Sequence, residues 1–143
     1  MSPGSRIRRI SSGGPWEDRT GYSRAVVVDG RVLVAGCTAT VDGEVQHEDD
    51  AHAQTLVCFQ VVERALHEAG TDLDHVVRTR MYVVGPEHCD GVGRAHRAAV
   101  GHVRPAATMV CVAALVHPAM LVEVEVEAVL PRPDVHRAGA PAS

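Results

Sequence analysis

Apolar and polar positions alternate without a break through "LVEVEVEAVL", residues 121–130. A strand is predicted here, with Leu121, Glu123, Glu125, Glu127 and Val129 on one face and Val122, Val124, Val126, Ala128 and Leu130 on the other. A solvated strand face rarely carries carboxylates and little else, so the three glutamates imply counter-charges, a partner chain or a ligand. Elsewhere "RAVVVDGRVLVAG" reads as a hairpin, two valine-rich runs around the turn pair Asp29-Gly30. "SRIRRI" is a short strand, "PWEDRTGYS" a polar, turn-rich segment, and "CTATVDGEVQHEDD" a loop with a small turn at Asp42-Gly43. The strongest helical period begins after Asp49-Asp50, with Leu56, Phe59, Val62, Leu66 and Ala69 on one stripe, and Gly70 ends it. "DHVVRTRMYVV" alternates as a strand, with Val77, Thr79, Met81 and Val83 on one side. "CDGVGRAHRAAVGHV" is a second helix weakened by glycine, and "RPAATMVCVAALV" a further strand before the glutamate strand.

The order β-β-β-α-β-α-β-β predicts an α+β layer, two helices on one face of a mixed six-stranded sheet. The valine face of the last strand then meets the helices and the glutamate face stays open. A monomer explains that open face poorly. Oligomerisation explains it better, with arginines such as Arg78 and Arg80 neutralising the carboxylates. A single domain over residues 1–130 is expected, with 131–143, "PRPDVHRAGAPAS", as a disordered tail.

Composition narrows the chemistry. Aromatic residues are only 3%, so the core rests on Val, Ala and Leu. All 14 basic residues are arginine, which excludes a lysine Schiff base. The formal charge of −4 argues against nucleic acid as a partner. No signal peptide or membrane span is legible, Cys37, Cys58, Cys89 and Cys111 lack metal-type spacing, and a cytoplasmic protein with reduced thiols is expected. "HEDDAH" looks like a metal site, but helix capping and solvated charge account for it better, and no metal or cofactor is expected.

Six segments, "GYSRAVVVDGRVLVAG", "AQT", "LDHVVRTRMYV", "GRAH", "RPAATM" and "MLVEVEVEAV", follow one another over residues 20–130. Together they resemble the Rid family, reactive-intermediate deaminases also called YjgF proteins. The resemblance implies a chorismate-mutase-like fold, a homotrimeric barrel and clefts between subunits. It also implies hydrolysis of imines or enamines such as 2-aminoacrylate, releasing ammonia and a 2-keto acid.

The family motif Pro-Ala-Arg-Ser, whose arginine clamps the substrate carboxylate, corresponds to Pro105-Ala106-Ala107-Thr108, so the clamp is an alanine. A family asparagine corresponds to Gly93, a cleft tyrosine to Tyr22, a backbone turn to Gly36-Cys37-Thr38, and the water-orienting glutamate to Glu123. Loss of the clamp leaves a substrate anion unpaired, at about 2–5 kcal/mol, or roughly 30- to 4,000-fold in binding or rate. Efficient deamination of 2-aminoacrylate is therefore not expected. Arg94, Arg97 or Arg104 could substitute from another direction, although no motif selects one.

Each candidate has a plainer reading. Glu123 is an acid–base group or an inter-subunit ion pair. Tyr22 binds a ligand or closes the hairpin. Cys37 reads as a packed thiol rather than a nucleophile, since no base is apparent. Thr38 offers a hydroxyl. Ala107, Met109 and Cys111 share a strand face that makes a small apolar cleft wall, suited to a neutral or hydrophobic ligand, or packs on another subunit. Trp16 lids the cleft or covers a core edge. His96 reads as a surface or packing residue. Three functions follow: a small-molecule enzyme working by hydrolysis, tautomerisation or cyclisation, a non-catalytic trimeric metabolite-binding module, and, least favoured, an endoribonuclease. The arginine-rich, lysine-free composition suggests a high-GC bacterial genome and a place in specialised metabolism.

Overall fold

The computed structural model describes residues 7–132. Its elements are β1 (Ile7–Ile10), α1 (Pro15–Thr20), β2 (Ala25–Val28), β3 (Arg31–Cys37), β4 (Thr40–Val41), β5 (Glu44–Val45), α2 (Ala51–Ala69), β6 (Val76–Val84), α3 (Cys89–Val100), β7 (Ala106–Val112) and β8 (Val122–Val129). Six strands form one mixed sheet in the order β1-β2-β3-β8-β6-β7. Only β6 and β7 pair in parallel, because α3 carries the chain back between them. The expected α+β layer is present, and most of the tail lies outside the described residues.

The alternation of β8 sets the two faces. Val122, Val124, Val126 and Ala128 are each no more than 2% exposed and pack beneath the helices. The core is mainly valine and alanine around Phe59 and Leu66. Asp50 caps α2 by accepting from the Ala53 N–H at 3.0 Å, and Gly70 ends it in the left-handed region at φ 96°. Leu56 is only half-buried, and the stripe takes in Thr55, Cys58 and Ala65 instead. Gln54 is fully buried within the same helix. Its amide donates to the His47 carbonyl at 3.2 Å and the Ala119 carbonyl at 2.9 Å, and accepts from the Leu121 N–H at 2.9 Å. The helix thereby pins the chain where it enters β8 and fixes which residues face outward.

Three local expectations need correction. "PWEDRT" is a short helix, not an irregular segment. Pro15 starts it with its missing N–H in the first turn, and Gly21 closes it at φ 81°. The loop after β3 contains the two-stranded β4–β5 pair, turning at Asp42 and Gly43, both with positive φ. In β6 a register shift between Val76 and Arg78 makes Val76 the buried residue and leaves Val77 47% exposed. Thr79, Met81 and Val83 keep the core face.

Candidate functional site

On the uncovered face of the sheet, Glu123, Glu125 and Glu127 project side by side. Glu127 is met by Arg31 at 2.5 Å, Arg80 at 3.3 Å and Arg78 at 3.8 Å. Glu125 accepts from the Tyr82 hydroxyl and lies 4.0 Å from Arg80. That hydrogen bond, ahead of burial, holds the Tyr82 phenol above its usual range. Arg78 and Arg80 therefore take the expected neutralising role within the same chain, and Arg31 joins them.

Glu123 is different. Among the described residues it forms neither an ion pair nor a hydrogen bond. Desolvation, before any charge effect, raises its pKa above the ordinary carboxylate value of 4.5; the Arg24 guanidinium pulls the other way and Glu125 adds to the rise. Its carboxylate lies over Gly36. A β-carbon at Gly36 would sit 2.6 Å from Glu123 Oε2 and 2.8 Å from its Cδ, so only glycine permits this approach. The backbone is irregular there, because the register between β3 and β8 shifts between Val34 and Cys37.

Arg24 organises the rest. Its guanidinium donates to the carbonyls of Gly36 at 2.8 Å and Ala35 at 3.2 Å, and to Cys37 Sγ at 3.3 Å. It also packs 5.7 Å from the Tyr22 ring centre, with Nη2 3.4 Å from the Tyr22 hydroxyl. Burial pushes the Cys37 thiol up, and nearby Arg24 only partly offsets this. A buried thiol held protonated is a packing group rather than a nucleophile. Thr38 follows directly, with Oγ1 2.7 Å from Thr40 Oγ1.

The fold thus brings together Tyr22, Gly36, Cys37, Thr38 and Glu123 around Arg24, a residue that sequence reading passed over. The missed signal is its place in "GYSRAV", two residues after Tyr22 and just outside the β2–β3 ladder.

Ala107, Met109 and Cys111 lie apart. They pair with Thr79, Met81 and Val83, so they share the helix-side face of the sheet, opposite to Glu123. β7 is an edge strand, separated from β8 by β6. One chain cannot join this wall to the Glu123 cluster. Gly93 faces the wall, its β-carbon position 3.8 Å from Met109 Cε. Trp16 is 58% exposed on α1 with Arg19 5.5 Å from its ring centre, so it covers no core edge within the chain. Arg94 pairs with Asp90 at 3.0 Å. His96 is a half-buried packing residue, its Nε2 2.8 Å from Thr79 Oγ1 and its ring edge-on to Phe59.

The family model described as Endoribonuclease L-PSP matches residues 16–130, spanning every element from α1 to β8. The chain belongs to the YjgF/Rid family. An uncharacterised protein of Streptomyces coelicolor is 40% identical over 122 residues, covering 85% of this chain and 91% of its own. A crystal structure of a YjgF/YER057c/UK114 family member from Mycobacterium tuberculosis is 41% identical, with a TM-score of 0.79 over 87% of this chain and 99% of its own. A Rid-family protein of unknown function from Yersinia pestis is 26% identical, with a TM-score of 0.75 over 87% of this chain and 99% of its own. In keeping with that membership, the YjgF/Rid chain packs α2 and α3 on a six-stranded mixed sheet. Among its described residues no helix is long and apolar enough to cross a membrane.

Proposed function

We propose that this protein is a small-molecule enzyme that acts on an imine, enamine or carbonyl-type intermediate in a cleft between subunits of a homotrimer. The observation that carries the reading is the half-buried, unpaired Glu123 carboxyl held against Gly36. Partial desolvation raises its pKa, which makes the carboxylate a stronger base than an ordinary surface glutamate and suits a group that must accept a proton and return it. In imine hydrolysis, Glu123 orients water and accepts its proton as oxygen bonds to the imine carbon. The nitrogen takes up one proton from solvent as its π bond opens and receives a second from Glu123; the adduct's hydroxyl gives up its own proton as the carbonyl forms, the carbon–nitrogen bond breaks and ammonia leaves.

The other groups have supporting roles. Arg24 holds the Gly36–Cys37 backbone in place, and Tyr22 and Thr38 offer hydroxyls to polar atoms of the ligand. Ala107 and Met109, contributed by the neighbouring subunit, leave room for an apolar group. Without an arginine at position 107, the favoured substrate is neutral or hydrophobic rather than a small 2-imino acid.

A second reading, a non-catalytic trimeric module that binds a metabolite, draws on the same alanine and on the protonated Cys37. Endoribonuclease activity, named in the family description, fits less well. The net charge is −4, and the open-face arginines Arg31, Arg78 and Arg80 are already paired with glutamates.

The test uses neutral imines generated in situ from apolar primary amines by an amine oxidase, with release of ammonia and carbonyl product followed. Wild type should accelerate release, and Glu123→Gln should lose about 100-fold or more of that rate while still binding the carbonyl product. No acceleration by wild type, with binding retained by both proteins, selects the binding module instead. The variant should not be unstable. A carboxyl whose folded pKa exceeds its unfolded value costs stability once pH rises above the unfolded value, so Glu123→Gln should melt at or above wild type at neutral pH. That advantage should vanish below 4.5.

A further inference from the structure

Four cysteines occur in the chain, and the fold sorts them into two kinds. Cys37 and Cys58 are buried, at 2% and 0% exposure. The Cys58 thiol donates to the Val122 carbonyl at 3.9 Å from within the core, and burial drives it far above the ordinary range. Cys89 and Cys111 are the reverse case. Cys89 opens α3, Cys111 lies near the end of edge strand β7, and their sulfurs are 3.5 Å apart. Cys111 is exposed and Cys89 partly so. They are 22 positions apart in sequence, with no motif spacing to announce them. Only the parallel crossover from β6 through α3 to β7 brings them together.

We propose that Cys89 and Cys111 form a reversible intramolecular disulfide when the protein meets a peroxide. A disulfide needs its sulfurs at ~2.05 Å, so closure requires a shift of roughly 1.5 Å, within reach of small side-chain rotations at an edge strand and a helix end. The Cys111 sulfur, as thiolate, attacks the peroxide; a sulfur–oxygen bond forms, the oxygen–oxygen bond breaks, and hydroxide leaves to become water. The Cys89 sulfur, after losing its proton, attacks the resulting sulfenic acid; the sulfur–sulfur bond forms and the sulfur–oxygen bond breaks, releasing a second water. Two thiols are oxidised by two electrons and one peroxide is reduced to two waters. A thiol or thioredoxin-type dithiol reverses the step by exchange.

The bond would tie the first turn of α3 to the strand that also bears Ala107 and Met109. Gly93, one turn further along that helix, already lies against Met109. The proposal stands on the sulfur geometry and does not require the protein to be an enzyme.

The experiment treats the reduced full-length protein with limiting hydrogen peroxide, then blocks remaining thiols and maps peptides without reduction. Cleavage after arginine separates the two cysteines, because Arg94 lies between them. The expected product is a chain not cross-linked to another and lighter by two hydrogens, in which the Cys89 and Cys111 peptides are joined and Cys37 and Cys58 remain blocked as thiols. Oxidation should raise the melting temperature by about 5–10 °C, and dithiothreitol should reverse it. Cys89→Ser and Cys111→Ser should each abolish the cross-link and the shift, and Cys58→Ser should abolish neither. Separate sulfinic acids at Cys89 and Cys111, or a Cys111–Cys111 link between chains, would overturn the proposal.

Discussion

Glu123 and Gly36 are 87 positions apart in sequence and meet because a strand irregularity lets a carboxylate lie on bare backbone. The contact predicts its own disruption. In Gly36→Ala the new methyl would fall 2.6 Å from Glu123 Oε2, so the carboxylate must swing away. Its titration, followed by NMR, should return toward 4.5, and any turnover should fall about 100-fold. An unchanged titration would remove the argument for a constrained acid at this position. The glutamate face was legible from sequence because its residues alternate with valines, and the family resemblance singled out Glu123 on it. Arg24 was not, because its partners are carbonyls and a sulfur across a hairpin rather than acidic side chains. No pattern of charge along the chain points to a cation that serves backbone.

At the scale of elements, α3 is seated on β6 through His96 and Thr79. Burial lowers the His96 pKa from 6.5, since the interior disfavours the imidazolium. Above 6.5 the ring is neutral in both folded and unfolded chains. As pH falls through 6.5 the unfolded chain takes up a proton that the folded chain refuses, so stability declines until the folded pKa is passed. Thermal melts from about pH 7 to about pH 5 should show this loss, and His96→Gln should flatten it. An identical slope in both proteins would place the titration elsewhere. The main helix was readable from its apolar period and its Asp50 and Gly70 ends. The face assignment of Val77 was not, because a shift in pairing with β8 obeys the partner strand rather than the local period. The helix Pro15–Thr20 escaped for a related reason. Six residues are too few to show a period, and its buried member is Glu17, held by Ser12.

At the scale of the whole molecule, one sheet face is bare among the described residues. Leu33, Val110 and Val129 are exposed there beside the paired glutamates and arginines, at 37%, 42% and 36%. A mixed apolar and ion-paired face of this kind suits contact with copies of the same chain. The split of the candidate site also calls for a second chain, since Ala107 and Glu123 occupy opposite faces. Sedimentation should therefore give a multiple of the chain mass, three chains for the homotrimer proposed above. Leu33→Glu, set against Glu127 across the β3–β8 ladder, should shift the protein toward monomer through like-charge repulsion. A wild-type monomer at working concentrations would leave both the cleft and the proposed chemistry without a location.

The sequence by itself determined the layer order, the buried and open faces of β8, and the absence of lysine chemistry. All of these follow from local period and residue type, which need no distant partner. The tertiary structure alone decided which glutamate is unpaired, which arginine stands behind it, and which two of the four thiols meet. Those choices depend on strand register and on the parallel crossover, and both are set by contacts between segments far apart in the chain.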